Sequence, residues 1–230
     1  MKKLLLLLFV YLSFTGIANA GSTKVVSVDG INISFPPINS LTQAQDELVG
    51  LLNQMQPTGS EIAIAYITPE DFDRFENYEE PNFARFVQVI TTLNGKNLTY
   101  SHFKERVNRN KKEYKEIEKT LSKVNELLVS QDNYISSLAD VDLKNTINGM
   151  VPFPAFIDNR NTFAASALVA REQSIDGKTI RTGRIISTIL ILVNKRILNV
   201  AFYSTVSNEI DMPLHDRQVK EWIQSFWKVN

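Results

Sequence analysis

The feature that most constrains this chain lies in its C-terminal half. Three long runs rich in β-branched and apolar residues, Phe163 to Gln173, Lys178 to Val193 and Arg196 to Ser204, follow one another with Asp176-Gly177 and Asn194-Lys195 as turns. Connections this short join antiparallel neighbours, because a parallel return needs a crossover of a dozen or more residues. In the middle run Ile189 and Ile191 fall on one face and Leu190 and Leu192 on the other, since successive strand side chains alternate sides. A strand apolar on both faces has to be covered from both sides. The meander therefore predicts a sheet sandwiched by helices.

The remainder supplies the covering elements. Lys24 to Phe35, KVVSVDGINISF, reads as two short strands about Asp29-Gly30, a pair suited to the positive φ angles of a tight hairpin. Pro36-Pro37 ends it. Ser40-x-x-Gln43 has the form of a capping box, after which Leu41, Ala44, Leu48, Leu51, Leu52 and Met55 share one helical face, with Pro57 and Gly59 as the stop. Glu61 to Ile67 is apolar on both faces, as a central strand would be. Thr68 and Pro69 form the N-cap and first position of a short acidic turn, and Phe83 to Leu93 is a further strand closed by Asn94-Gly95. A long helix is predicted over roughly His102 to Leu138, then a loop near Asn145 to Gly149. Asp211-Met212-Pro213 opens a last helix with Val219, Trp222, Ile223 and Phe226 on one face. With no repeat or linker, the expected fold is α+β: a single domain over 21–230, one mainly antiparallel sheet covered by helices on both faces, with one long amphipathic helix.

The GINISFPP strand opening, the helical middle section, the meander of long apolar strands and the terminal helix with its Trp resemble the Mog1/PsbP-like α/β/α sandwich. That resemblance implies an accessory or assembly role and carries over no functional residue. The long charged helix is a departure from it.

In a heptad frame that helix places Val107, Tyr114, Leu121, Leu128 and Ile135 at a, and Phe103, Asn110, Ile117, Val124, Gln131 and Leu138 at d. A parallel coiled-coil homodimer is disfavoured. Such dimers prefer β-branched residues at a and Leu at d, and in register Arg106 would meet Lys111 and Glu113 would meet Glu118. A membrane-surface helix would carry few acids on its polar face, whereas acids are mixed throughout this one. The stripe is expected to seat the helix on the protein's own sheet. Its first part, residues 102–115, carries Lys104, Arg106, Arg109, Lys111, Lys112 and Lys115 against Glu105 and Glu113, and residues 70–80 are acidic, with Arg74 alone opposing. The six cations are the candidate partner-binding face.

Residues 1–20 read as a signal peptide: Lys2 and Lys3 precede an apolar run from Leu4 to Leu12, and Ala18-Asn19-Ala20 is an A-x-A cleavage site. That run is too short to span a bilayer, and no Cys follows it to accept a lipid. The expectation is an exported protein, periplasmic or secreted, beginning at Gly21 with no transmembrane anchor. Removing Lys2 and Lys3 from the 25 basic residues leaves 23 against 25 acidic ones, a balance that argues against broad binding to nucleic acid. With no Cys in the chain, disulfides and thiolate metal ligands are impossible, and a hydrophobic core must supply stability.

Motifs for chemistry are sparse. Gly177-Lys178-Thr179 ends like a phosphate-binding loop, but Glu172 stands where its first Gly is required. No G-x-S-x-G elbow occurs. His102 and His215 fit no H-E-x-x-H pattern, and His215-Asp216 reads as a solvated pair on an exposed helix. Asp140-Val141-Asp142 lacks the Gly and closing Glu of a Ca²⁺ loop. Asp158-Asn159-Arg160-Asn161 reads as a loop, with the rim of a pocket as its alternative. Asn32-Ile33-Ser34 and Asn97-Leu98-Thr99 are glycosylation sequons only in a eukaryotic secretory pathway. No cofactor or metal is expected. The leading expectation is a non-enzymatic accessory protein acting through protein or small-ligand contacts, and the rival is an exported hydrolase built on paired carboxylates.

Overall fold

The structure, a computed structural model, describes residues 21–54, 56–77, 79, 82–92, 97–139, 142–206 and 211–230, without the side chains of 134, 135 and 137–139. The signal-peptide reading, Met55, Glu80, Leu93, the Asn94-Gly95 turn, the side chains of Ile135 and Leu138, and Asp140-Val141 lie outside the described residues.

Asp29 (φ 49°) and Gly30 (φ 80°) both take the left-handed conformation and join β1 (Lys24–Val28) to β2 (Ile31–Phe35) as a separate antiparallel hairpin. The capping box expected at Ser40 does not form. Ser40 is itself left-handed (φ 61°), Thr42–Gln43 make a short strand, β3, and α1 begins later, over Asp46–Gln54. β3 pairs with β4 (Ser60–Ile67) through Thr42↔Ile67 and Gln43↔Tyr66, so part of the exposed edge of β4 is paired where a first helical turn was expected. α1 buries Leu48 and Leu52, while Leu51, expected on the same face, is exposed.

α2 (Pro69–Glu76) starts as predicted, Thr68 Oγ1 accepting the Asp71 N–H at 3.0 Å. Asp71 is buried, and its carboxylate accepts the N–H groups of Asn82 (2.6 Å) and Phe83 (3.1 Å). After β5 (Arg85–Thr92), the single long helix of the sequence reading is two: α3 (Tyr100–Lys115) and α4 (Ile117–Ala139). Glu116 between them leaves helical geometry (φ −102°, ψ 53°). Thr120 Oγ1 stands 2.9 Å from the Glu113 carbonyl, a hydroxyl donor at the break, and 3.1 Å from the Glu116 carbonyl, which also accepts the Thr120 N–H at 3.0 Å.

The chain then forms β6 (Leu143–Pro152), β7 (Ile157–Asp158), β8 (Thr162–Ile175), β9 (Lys178–Val193), β10 (Arg196–Val206) and α5 (Asp211–Val229). The loop expected at Asn145 to Gly149 is instead part of β6. Its polar residues are tolerated in a strand because it is an edge strand whose outward groups meet side chains of α4. Asp132 accepts the Asn145 N–H at 2.5 Å, and Ser136 Oγ accepts that of Leu143 at 3.1 Å.

The large sheet runs β3-β4-β5-β10-β9-β8-β6, with β7 paired to β8, and every pairing is antiparallel. The meander forms as predicted, and Glu61 to Ile67, expected as a central strand, is second from one side. One face carries the main core, where Phe35, Phe202, Ile189 and Ile191 meet Val219, Trp222 and Phe226 of α5. Asn230 fastens the β1–β2 hairpin to the end of α5: its Nδ2 donates to the Ser34 carbonyl at 2.6 Å, and its Oδ1 accepts the Ser34 N–H at 2.9 Å. On the other face Phe103 and Val107 of α3 bury against Phe163, Ala165, Leu190 and Ile197, and α1 against Ile62, Ala65 and Ile67. Helices cover both faces, and the first part of the heptad stripe seats on the sheet.

Candidate ligand-binding cleft

The break at Glu116 shapes the second face. α3 lies over β9 while α4 runs beside β6, and between α4 and α1 part of the sheet stays open as a cleft of about 280 Å³. Strand register fixes its floor. Phe86, Tyr203 and Ile186 lie side by side on β5, β10 and β9, and the next rung holds Arg184 opposite Val169. Leu52 of α1 and Leu128 of α4 stand at the walls.

Two arginines enter this space, whose mainly apolar lining also includes Gln56, Gln88 and Gln131. Arg171 is engaged: its Nε donates to Asn145 Oδ1 at 3.1 Å, and its Nη2 donates to the same oxygen. Asn145 Nδ2 donates in turn to Asp132 Oδ1 at 2.5 Å. Arg184 is different: its Nε is buried and has no hydrogen-bond partner. Burial pulls the Arg184 guanidinium down to about 10, Arg171 adds to the lowering and Tyr203 opposes it, so it stays cationic at neutral pH. Burial likewise lowers Arg171, with the Asp132 carboxylate acting the other way.

Tyr203 stacks on Phe86 with ring centroids 4.2 Å apart and planes 3° from parallel. Its hydroxyl accepts from Gln88 Nε2 at 3.0 Å, which leaves the phenolic hydrogen to donate. Burial raises the Tyr203 phenol above its ordinary value, while the Gln88 bond and the Arg184 charge hold it back.

The sequence-predicted site residues lie elsewhere. Arg106 Nη2 donates to Thr92 Oγ1 at 2.9 Å. Lys111 pairs with Asp158 at 2.6 Å, tying α3 to the Asp158–Asn161 loop. Arg109 and Lys112 pair within their own region, with Glu105 at 3.4 Å and Glu116 at 3.7 Å. Lys104 and Lys115 are exposed. The acidic segment is likewise occupied locally: Glu70 pairs with Arg74 at 3.5 Å, and Glu76 accepts from Gln45 at 2.7 Å. Arg160 and Asn161 line an open depression of about 580 Å³ with Tyr100 and Lys195, as the rim reading allows.

Neither histidine sits in the cleft. His102 Nδ1 accepts the Thr99 N–H at 3.0 Å and so caps α3. His215, expected as a solvated residue, is buried on the opposite face. Its Nε2 is 2.8 Å from Ser187 Oγ and its Nδ1 is 2.8 Å from Ser204 Oγ, because the first turn of α5 lies over the sheet. Burial first, and Arg85 second, push it down to about 4. Among the described residues no group of His, Cys, Asp and Glu is arranged to hold a metal ion, and no helix is long and apolar enough to cross a membrane.

The sequence reading missed Arg171, Arg184 and Tyr203. The available signal was a cation at the apolar face of a predicted strand: Arg184 shares its side of β9 with Ile186 and Leu190.

No protein-family model and no curated protein matches the chain. Among solved structures, the 1.9 Å crystal structure of the Ran-binding protein Mog1p of Saccharomyces cerevisiae is similar at 10% identity, with 90% of this chain and 93% of that chain covered and a TM-score of 0.38. At that TM-score the likeness carries no argument about this chain.

Proposed function

We propose that this chain is an exported, non-enzymatic binding protein that holds a small ligand in the cleft between α1 and α4. The observation that carries this reading is the Arg184 Nε, buried at the cleft floor without a partner. A buried donor left unmade costs about 1–3 kcal/mol, more when charged, and such a group in a cleft marks a place where a partner arrives from outside. Apolar walls around a few polar groups are the usual make-up of small-molecule sites. Export rests on Lys2, Lys3, the Leu4–Leu12 run and Ala18-Asn19-Ala20. The exposed cations of α3 are the surface through which an acidic protein partner would be met.

A thermal-shift screen of small amphipathic acids, alcohols and amines tests the cleft, comparing the native chain with Leu128→Trp, which fills it. Stabilising compounds should be found and should lose their effect in the variant. No stabilising compound, or equal stabilisation of both proteins, overturns the reading. Mass spectrometry of the exported protein should find Gly21 at its N-terminus, and intact Met1 in the membrane fraction would overturn export.

A further inference from the structure

Resting on that cleft reading, we propose that the ligand is a small monocarboxylic acid with an apolar body, its carboxylate held by the Arg184 guanidinium and the Tyr203 hydroxyl. Three observations converge on this class.

The first is charge. Arg171 and Arg184 face the cleft, and Asp132, reached through Asn145, is the carboxylate acting on Arg171. Among the described residues no Asp or Glu pairs with Arg184; the charge acting on it is that of Arg171, and the Tyr203 phenol beside it is neutral at neutral pH. One positive charge is therefore left over, which matches a monoanion. A dianion would bring a second negative charge into a partly buried space without compensation.

The second is geometry. Arg171 spends both Nε and Nη2 on Asn145, so the free cation is Arg184. A guanidinium edge of Nε–H beside Nη–H presents two parallel donors that suit the two oxygens of a planar carboxylate. Tyr203 pairs with Ile186, two residues from Arg184 on the same face of β9, and both line the cleft, which puts the phenol and the guanidinium at the same end of it.

The third is size and lining. About 280 Å³ is just under the range typical of drug-sized ligands, and equals about nine waters at roughly 30 Å³ each. Leu52, Leu128, Ile147, Val169 and Ile186 make the larger part of the remaining lining, beside the amides of Gln56, Gln88 and Gln131, so the ligand's body is mainly apolar. An acid the size of octanoate meets all three conditions.

The test is calorimetric titration of the exported chain at neutral pH with octanoate, octan-1-ol and octyl phosphate, repeated on Arg184→Gln and Tyr203→Phe. Octanoate should bind the native protein at least tenfold more tightly than octan-1-ol. Arg184→Gln should bring octanoate down to the level of the alcohol and leave the alcohol unchanged, with the melting temperature preserved because Nε has no bond to lose. Tyr203→Phe, which keeps the ring stack, should weaken octanoate several-fold and spare the alcohol; this holds the test open should Arg184→Gln fail to fold. Equal affinity for acid and alcohol in the native protein overturns the carboxylate assignment and leaves the cleft reading standing. Binding of neither overturns both. A preference for octyl phosphate, or octanoate binding untouched by the variants, also overturns it. So does displacement of octanoate by a lower concentration of a hexapeptide ending in a free-carboxylate Leu, its amidated form being inert.

Discussion

The side-chain amide of Asn125 stands beside Ile147 as a neighbouring strand would: Nδ2 donates to the Ile147 carbonyl at 3.1 Å, and Oδ1 accepts the Ile147 N–H at 2.8 Å. Asn125, Asp132 and Ser136 lie along one side of α4 and meet Ile147, Asn145 and Leu143, alternate residues of β6. Those are the positions whose backbone groups point away from β8. An uncovered edge strand is a template for pairing with another chain, and here a helix supplies the missing partner.

Asn125→Ala should therefore leave both Ile147 backbone groups unpaired at a partly buried site. The expected loss is about 1–3 kcal/mol in urea unfolding, with faster amide exchange at Ile147 and more self-association. Full exchange protection at Ile147 together with an unchanged unfolding midpoint would contradict the covering role.

His215 makes stability depend on pH. Its ordinary pKa of 6.5 falls to about 4 in the folded protein, so folding favours the neutral ring. Below 6.5 the unfolded chain gains a proton that the folded one refuses. The contribution is complete above 6.5 and is lost as pH falls to about 4, a change on the order of 3 kcal/mol. His215→Gln should flatten the stability difference between pH 7 and pH 4 relative to the native chain; parallel curves would show that the ring does not govern it.

Leu190 and Ile191 face opposite cores, and both are buried. Each truncation to Ala should cost about 2–5 kcal/mol in denaturant unfolding. Losses below about 0.5 kcal/mol at both would mean that β9 is not central.

The triple change Arg109→Gln, Lys112→Gln, Lys115→Gln should barely move the melting temperature. The ion pairs it removes are exposed, with Arg109 and Lys112 side chains 66% and 69% accessible, and such pairs contribute about 0–1 kcal/mol each. If the face meets an acidic partner, capture at low salt should weaken. A large drop in stability would make these residues structural.

The meander, the β1–β2 turn, the Thr68 cap and the core face of α5 were legible because each depends on local period or turn chemistry. Three features were not. The break at Glu116 interrupts a stripe whose period continues across it, and what marks it is the backbone of one residue. The strand at Asn145 to Gly149 reads as a loop because its polar residues are satisfied by α4, which sequence order does not reveal. His215 looked solvated because Ser187 and Ser204 come from strands 28 and 11 residues away. The cleft was illegible for the same reason: Arg171, Arg184, Tyr203 and Phe86 become neighbours only through sheet register.

The bonds between Ser34 and Asn230 join residues 196 positions apart, and the core beneath them, Phe35 against Phe226 at 5.9 Å, spans nearly as much of the chain. A chain made from its N-terminus at about 5–20 residues per second therefore waits roughly 10–40 seconds between completing the β1–β2 hairpin and completing the helix that covers it. Through that interval the hairpin can meet β4 and β5 but not Trp222 and Phe226 of α5. This face is complete only once α5 has been made, and a factor that shields the hairpin during the wait has a defined moment at which to let go.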